Sequence, residues 1–256
     1  MSILELDDVS MRFGGLTAVS NLHLTLEKGE LVGLIGPNGS GKTTVFNLIS
    51  GFYQPTEGTI RFEGRDVRGL RPDKVVALGI ARIFQNSRLF KKLTVLDNVV
   101  ISYHMRLRSS LLSAVLRTPG YTRYEDQASE ESSSLLRDLG LGGVVHELAG
   151  SLPYGLQRKL EVARALATKP KLLLLDEPAS GLSAEETSEM MDFILGVHRD
   201  FQLTVLLIEH SMSVVMGCCP RMMVLNYGKT IALGSAQEIQ NNPEVIAAYL
   251  GADRDA

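Results

Sequence analysis

The chain has 256 residues, of which 45 % are hydrophobic and 21 % charged. That balance builds a folded core and excludes a disordered chain. A net charge of −3 gives no electrostatic case for a nucleic-acid partner, and no apolar run approaches the roughly 20 residues that cross a bilayer. The opening "MSILELDDVS" is acidic and lacks the charged-then-apolar pattern of an export signal, which predicts a cytosolic chain.

In chain order, "NLHLTLEKGELVGLIG" alternates at Leu22, Leu24 and Leu26, turns at Lys28 and Gly29, and runs into the apolar Leu31–Ile35. That pattern predicts two strands. "PTEGTIRFEGRDV" reads as a turn, a short strand and another turn, the flank of an antiparallel hairpin. From residue 92 to 168 the periodicity becomes helical. "TVLD" resembles a capping box through Thr94 and Asp97, and Leu135, Leu136 and Leu139 share a helix face.

Strand–helix alternation then returns, with a strand at 172–175, a helix near 184–197 and a strand at 203–208. Met190, Phe193, Ile194 and Val197 give that helix one apolar face. "MMVLNYGKTIALG" predicts a hairpin around Tyr227 and Gly228, and "SAQEIQNNPEVIAAYLG" predicts short closing helices with a capping box at Ser235 and Glu238. The expected architecture is α/β: a single domain, 1–256, with a core from 1–91 and 169–256 and a helical subdomain at 92–168.

Two features read as structural. Cys218 and Cys219 are adjacent and cannot join distant parts of the chain, and Cys219 continues the apolar stripe Met212, Val215, Met216. Arg106, Arg108, Arg117 and Arg123 accompany an apolar strip in the insert and predict a helical hairpin with a solvated basic face. A membrane-surface or partner-binding role is the alternative.

The chemistry begins at "GPNGSGKTT", which matches G-x-x-x-x-G-K-[ST] through Gly36, Gly41, Lys42 and Thr43, after a strand and before a helix. Glycines let backbone N–H groups close around phosphate oxygens; Lys42 adds a point charge, and the Thr43 hydroxyl suits Mg²⁺. "KLLLLDEP" is a buried strand ending in Asp176 and Glu177. The first carboxylate can hold Mg²⁺ and the second can orient and deprotonate a water. His210, in "LLIEHSM", ends another apolar strand within reach of a γ-phosphate. Gln85, in "ARIFQNSRLF", sits where the core gives way to the insert and could ligate Mg²⁺. Phe13 precedes the phosphate loop and could stack on adenine. Finally, "SLPYGLQRKL" is a tight turn feeding a helix, a place where unpaired N–H groups favour an anion.

Together these residues resemble the ATP-binding cassette (ABC) family over nearly the whole chain. The resemblance implies a phosphate-loop ATPase fold with an antiparallel β flank and an inserted helical subdomain. It makes Phe13 the aromatic loop and Gly36, Pro37, Asn38, Gly39, Ser40, Gly41, Lys42, Thr43 and Thr44 the Walker A loop. Gln85 becomes the Q-loop, Asp176 and Glu177 the Walker B end and catalytic acid, and His210 the H-loop. "LPYGLQ", residues Leu152, Pro153, Tyr154, Gly155, Leu156 and Gln157, takes the place of the L-S-G-G-Q signature, which closes on ATP held by a partner cassette.

The resemblance narrows, through "MRFGGLTAVSNL", "LLIEHSM" and "NNPEVIAAYLG", to ATP-binding subunits of branched-chain amino-acid importers. It implies ATP and Mg²⁺, a second and different cassette subunit, two membrane permeases, indirect work with a solute-binding protein, and no nucleic acid. The expected place is the cytoplasmic face of the inner membrane. Import of urea or another amide-like solute, and a non-transport ABC ATPase, are the alternatives. The chain departs from the pattern at Pro153 for Ser, Tyr154 for Gly, Leu156 for Gln, and Ser183 for the usual Asp in "SGLS". A full ATP-binding half with a weakened signature half is expected.

Overall fold

A computed structural model of the protein describes residues 1–85, 88–104 and 119–252. The arginines expected on a basic face at 106, 108 and 117 lie outside those residues. The chain divides into two units, one formed by Met1–Gln85 and Lys171–Ala256, the other by Asn86–Pro170.

The first unit carries two sheets. In one, strands β1 (Ser2–Phe13), β2 (Leu16–Glu27), β4 (Glu57–Phe62) and β5 (Arg65–Asp66) pair antiparallel in the order β2-β1-β4-β5. In the other, β3 (Leu31–Ile35), β6 (Ile80–Ile83), β7 (Leu172–Asp176), β8 (Thr204–Ile208), β9 (Arg221–Asn226) and β10 (Lys229–Gly234) follow the order β10-β9-β3-β8-β7-β6. All of these neighbours are parallel except the β9–β10 hairpin. Every residue of β3, β7 and β8 is buried, as parallel strands covered on both faces require. The expected fold class is therefore the one observed.

Helix α1 (Lys42–Ile49) follows β3, and α2 (Pro72–Leu78) precedes β6. One cluster of buried side chains draws on both sheets and on α1: Leu4, Leu24, Phe46, Ile49, Leu174 and Leu206 all belong to it. Each fully buried side chain of this size contributes about 1.5–3 kcal/mol of transfer free energy. This core fixes the start of α1, and with it the phosphate loop.

The second unit contains α3 (Val95–His104), α4 (Pro119–Asp138) and α5 (Tyr154–Ala167). Thr94 and Asp97 form the expected reciprocal pair at the start of α3: Asp97 N–H donates to Thr94 Oγ1 at 3.1 Å and Thr94 N–H to Asp97 Oδ2 at 3.3 Å. This unit begins at residue 86, six residues before the expected start at 92. Polar side chains explain the shift. The buried Asn98 accepts from Phe90 N–H at 2.9 Å and donates to Phe90 O at 3.1 Å, while Glu161 accepts from Arg88 N–H at 2.9 Å. These bonds tie residues 88–90 to the helices, a link that hydrophobic periodicity does not register.

In the first unit, α6 (Ala184–Asp200), α7 (Met212–Cys218), α8 (Ala236–Gln240) and α9 (Pro243–Ala252) follow in order. Helix α6 starts with a capping box between Ser183 and Glu186, and α8 with the expected one between Ser235 and Glu238. Cys219 is buried, with its Sγ 3.7 Å from that of Cys218. Among the described residues no helix is long and apolar enough to cross a membrane.

Candidate functional site

The loop between β3 and α1 bends so tightly that its backbone meets other backbone. Gly41 has φ 106°, and a Cβ there would lie 2.6 Å from the Ala18 carbonyl oxygen. Gly228, at the tip of the β9–β10 hairpin, abuts the same carbonyl: its Cβ would sit 2.7 Å away. No other residue fits either place. The hairpin tip also holds the loop directly, because Gly228 N–H donates to Ser40 O at 2.9 Å and Ser20 N–H to Gly228 O at 2.8 Å.

Lys42 opens α1 and is buried. Its ammonium donates to Gly36 O at 2.7 Å and Pro37 O at 2.9 Å, leaving a third donor for the cavity it lines. Burial pushes its pKa below the ordinary lysine value, and the carboxylates of Glu177 and Asp176 pull it back up. Ser40 is buried too, and its hydroxyl has no hydrogen-bond partner among the described residues. An orphaned buried hydroxyl beside a lysine and exposed loop N–H groups fits a phosphate.

The cavity above this loop measures about 770 Å³. Phe13, Leu16, Thr17 and Ala18 line it together with Asn38–Thr44 of the loop, Gln85, Glu177, His210 and Tyr227. Gly36 and Pro37 stand behind that lining, with their carbonyls turned to Lys42. Phe13 is 41 % exposed and packs edge-on against Tyr53, with ring centroids 5.2 Å apart.

At the far end three side chains converge. Gln85 Nε2 donates to Glu177 Oε2 at 2.5 Å, and His210 Nε2 lies 2.5 Å from Glu177 Oε1. Glu177 has φ 52°, a left-handed conformation that costs a non-glycine residue on the order of 1–3 kcal/mol. Its N–H donates to Ile208 O at 2.9 Å, holding the turn against the end of β8.

Asp176 is not part of the cavity lining. It is buried, and its Oδ2 takes a 2.7 Å bond from Arg82 on the edge strand β6. The same guanidinium donates to Asn47 Oδ1 at 2.7 Å and lies over the rings of Phe84 and Phe46, 4.6 Å and 5.5 Å from their centroids. Sequence reasoning missed Arg82. Its signal was a charge inside the strand pattern "GIARIF", which a core tolerates only when a partner is buried with it. Tyr53, Asn47 and Tyr227 were also missed, because proximity across the fold leaves no local mark.

The turn at residues 152–157 belongs to the second unit. Pro153 is the N-cap of α5, with φ −51°, and its own side chain makes no capping hydrogen bond. Gln157 Nε2 donates back to Leu152 O at 2.8 Å, and Arg158 lies over the Tyr154 ring, 5.1 Å from its centroid. Leu152 is buried and Tyr154 is 40 % exposed.

A glycine-rich loop with a buried lysine, facing a carboxylate clasped by an amide and an imidazole, defines a phosphate-loop nucleoside triphosphatase. A family model described as "ABC transporter" matches residues 19–180, and a second, "Branched-chain amino acid ATP-binding cassette transporter", matches 229–255. The chain is 44 % identical over 249 residues to the high-affinity branched-chain amino acid transport ATP-binding protein BraF of Pseudomonas aeruginosa, covering 97 % of this chain and 98 % of that one. It is likewise 44 % identical to LivG of Escherichia coli K12, with the same coverage. Among solved structures, the ADP conformation of MJ1267, an ATP-binding cassette of an ABC transporter, superposes with a TM-score of 0.85 at 30 % identity, covering 98 % of this chain and 99 % of that one. The chain belongs to the ABC transporter family of ATP-hydrolysing cassettes.

Proposed function

We propose that the chain is the ATP-hydrolysing subunit of an importer for branched-chain amino acids. For the chemistry, the observation that carries the reading is the engagement of Glu177 by both Gln85 and His210 at the end of the phosphate-loop cavity. For the solute, support comes from relatives matched over nearly their whole length and from the C-terminal match at 229–255.

The Walker A N–H groups, the Lys42 ammonium and the Ser40 hydroxyl hold the β- and γ-phosphates, while Phe13 faces the base. Glu177 accepts the proton of the attacking water, and His210 sits against the same carboxylate, placed to steady it and to contact the γ-phosphate. Thr43, Gln85 and Asp176 form an all-oxygen donor set that suits Mg²⁺, with Asp176 set back from the cavity and oriented by Arg82. When bound, the ion neutralises charge on the phosphates.

Pairing with a second, different cassette supplies the signature turn over this chain's ATP, and this chain's turn at Leu152–Gln157 serves the partner's. Two membrane permeases and, indirectly, a solute-binding protein complete the system at the cytoplasmic face of the inner membrane. The test is co-expression with the candidate permeases and reconstitution into vesicles. Leucine-stimulated ATP hydrolysis and leucine uptake are expected; stimulation by urea alone, or no co-purifying permease, overturns the reading.

A further inference from the structure

Glu209 follows the last residue of β8, and the reaction above makes no use of it. It is only 5 % exposed. Its carboxylate accepts two backbone N–H bonds, from Ala179 to Oε1 at 2.9 Å and from His210 to Oε2 at 3.3 Å. Ala179 lies two residues after Glu177, in the turn where Ser180 N–H donates to Glu177 O at 3.1 Å. Glu209 therefore joins the turn that carries the base to the strand end that carries His210.

A carboxylate is an unfavourable choice for a buried position unless its oxygens are used. Burial pushes the Glu209 pKa up, and the bonds from Ala179 and His210 work against that rise. An apolar side chain would fill the same space without the desolvation cost. What it lacks is a pair of acceptors on one planar group, each aimed at a different segment. Glutamine replaces it only in part, because one of its two termini is a donor that would face an N–H.

We infer that Glu209 is a positioning residue for hydrolysis: its two oxygens clamp the turn after Glu177 to the backbone of His210, and so fix the contact between the Glu177 carboxylate and the His210 ring. The inference rests on the role proposed for Glu177. The clamp acts on geometry alone. ATP binding, which depends on Lys42 and the glycine-rich loop, is independent of it.

The experiment is Glu209→Ala and Glu209→Gln in the full chain, with ATP binding, steady-state hydrolysis and histidine-ring NMR measured on each. Expected are unchanged ATP affinity and KM, with kcat reduced about tenfold to a hundredfold in Glu209→Ala, the range that a small misplacement of catalytic groups produces. Glu209→Gln keeps one acceptor and shows a smaller loss. The His210 ring signals, identified by their disappearance in His210→Ala, shift in both variants. If Glu209→Ala does not fold, the isosteric Glu209→Gln carries the test. Wild-type turnover in a folded variant, unshifted His210 signals, or a kcat loss matched by an equal loss of ATP affinity overturns the inference. Wild-type turnover in Glu177→Gln instead overturns the assignment of the base, and the NMR signals still test the clamp.

Discussion

The His210 ring reaches the Glu177 carboxylate at 2.5 Å, although the histidine side chain is 49 % exposed and the glutamate only 8 %. A shielded carboxylate thus meets a partner on the solvent side of the cavity. Removing the carboxylate costs the chemical step and leaves binding intact, so Glu177→Gln should lower kcat by about 10²–10⁴-fold with ATP affinity preserved. His210→Ala should lower kcat in the same direction. Single-turnover hydrolysis beside equilibrium ATP binding checks both, and unchanged turnover in Glu177→Gln refutes the assignment.

Lys42 is held by the carbonyls of Gly36 and Pro37 before any phosphate is considered, so its charge is already aimed. Lys42→Ala should abolish tight ATP binding while the fold survives. Nucleotide titration of the folded variant is the measurement, and wild-type affinity would falsify the role.

Arg82 and Asp176 are each about 5 % exposed and paired at 2.7 Å. Breaking a buried pair by removing one partner strands the other charge, so Arg82→Ala should cost about 3–5 kcal/mol of unfolding free energy. Arg82→Lys should cost less, because the charge remains while the fork to Asn47 is lost. Urea denaturation decides; a loss below about 1 kcal/mol for Arg82→Ala, the scale of an exposed pair, means the pair is not buried in solution.

Much of this was legible in the sequence. Glycines, lysine and threonine at fixed spacing, and carboxylates closing an apolar strand, are local patterns, and the strands around Leu31–Ile35 announce themselves by their apolar runs. Arg82 and Glu209 were not legible as site residues. Each is a charge in an apolar context whose meaning depends on a partner 94 or 30 residues away in the chain. The start of the helical unit escaped for the same reason, since Asn98 and Glu161 recruit residues 88–90 through backbone bonds.

The signature turn yields a prediction about pairing. Pro153 has neither an N–H nor a side-chain hydroxyl, and Gln157 is engaged with Leu152 O, so the turn offers a partner's phosphate fewer donors than a serine-bearing one. A site lacking one such donor could lose about 1–3 kcal/mol of transition-state stabilisation. Where the partner brings an intact signature, the site built on this chain's Lys42 and Glu177 should therefore be the faster of two. Placing Glu→Gln in one cassette at a time within the assembled complex measures this. Glu177→Gln should be the more damaging change, and equal losses refute the asymmetry.

The phosphate loop is spelled out by residue 44, yet what braces it comes much later. Its strand, β3, is flanked by β8 and β9, and Gly228 supplies the N–H that holds Ser40. As the chain leaves the ribosome, the nucleotide-binding loop waits for nearly two hundred further residues before it has neighbours on both sides. Competence to bind nucleotide should thus arrive late in synthesis and all at once, so that unfinished chains do not capture ATP.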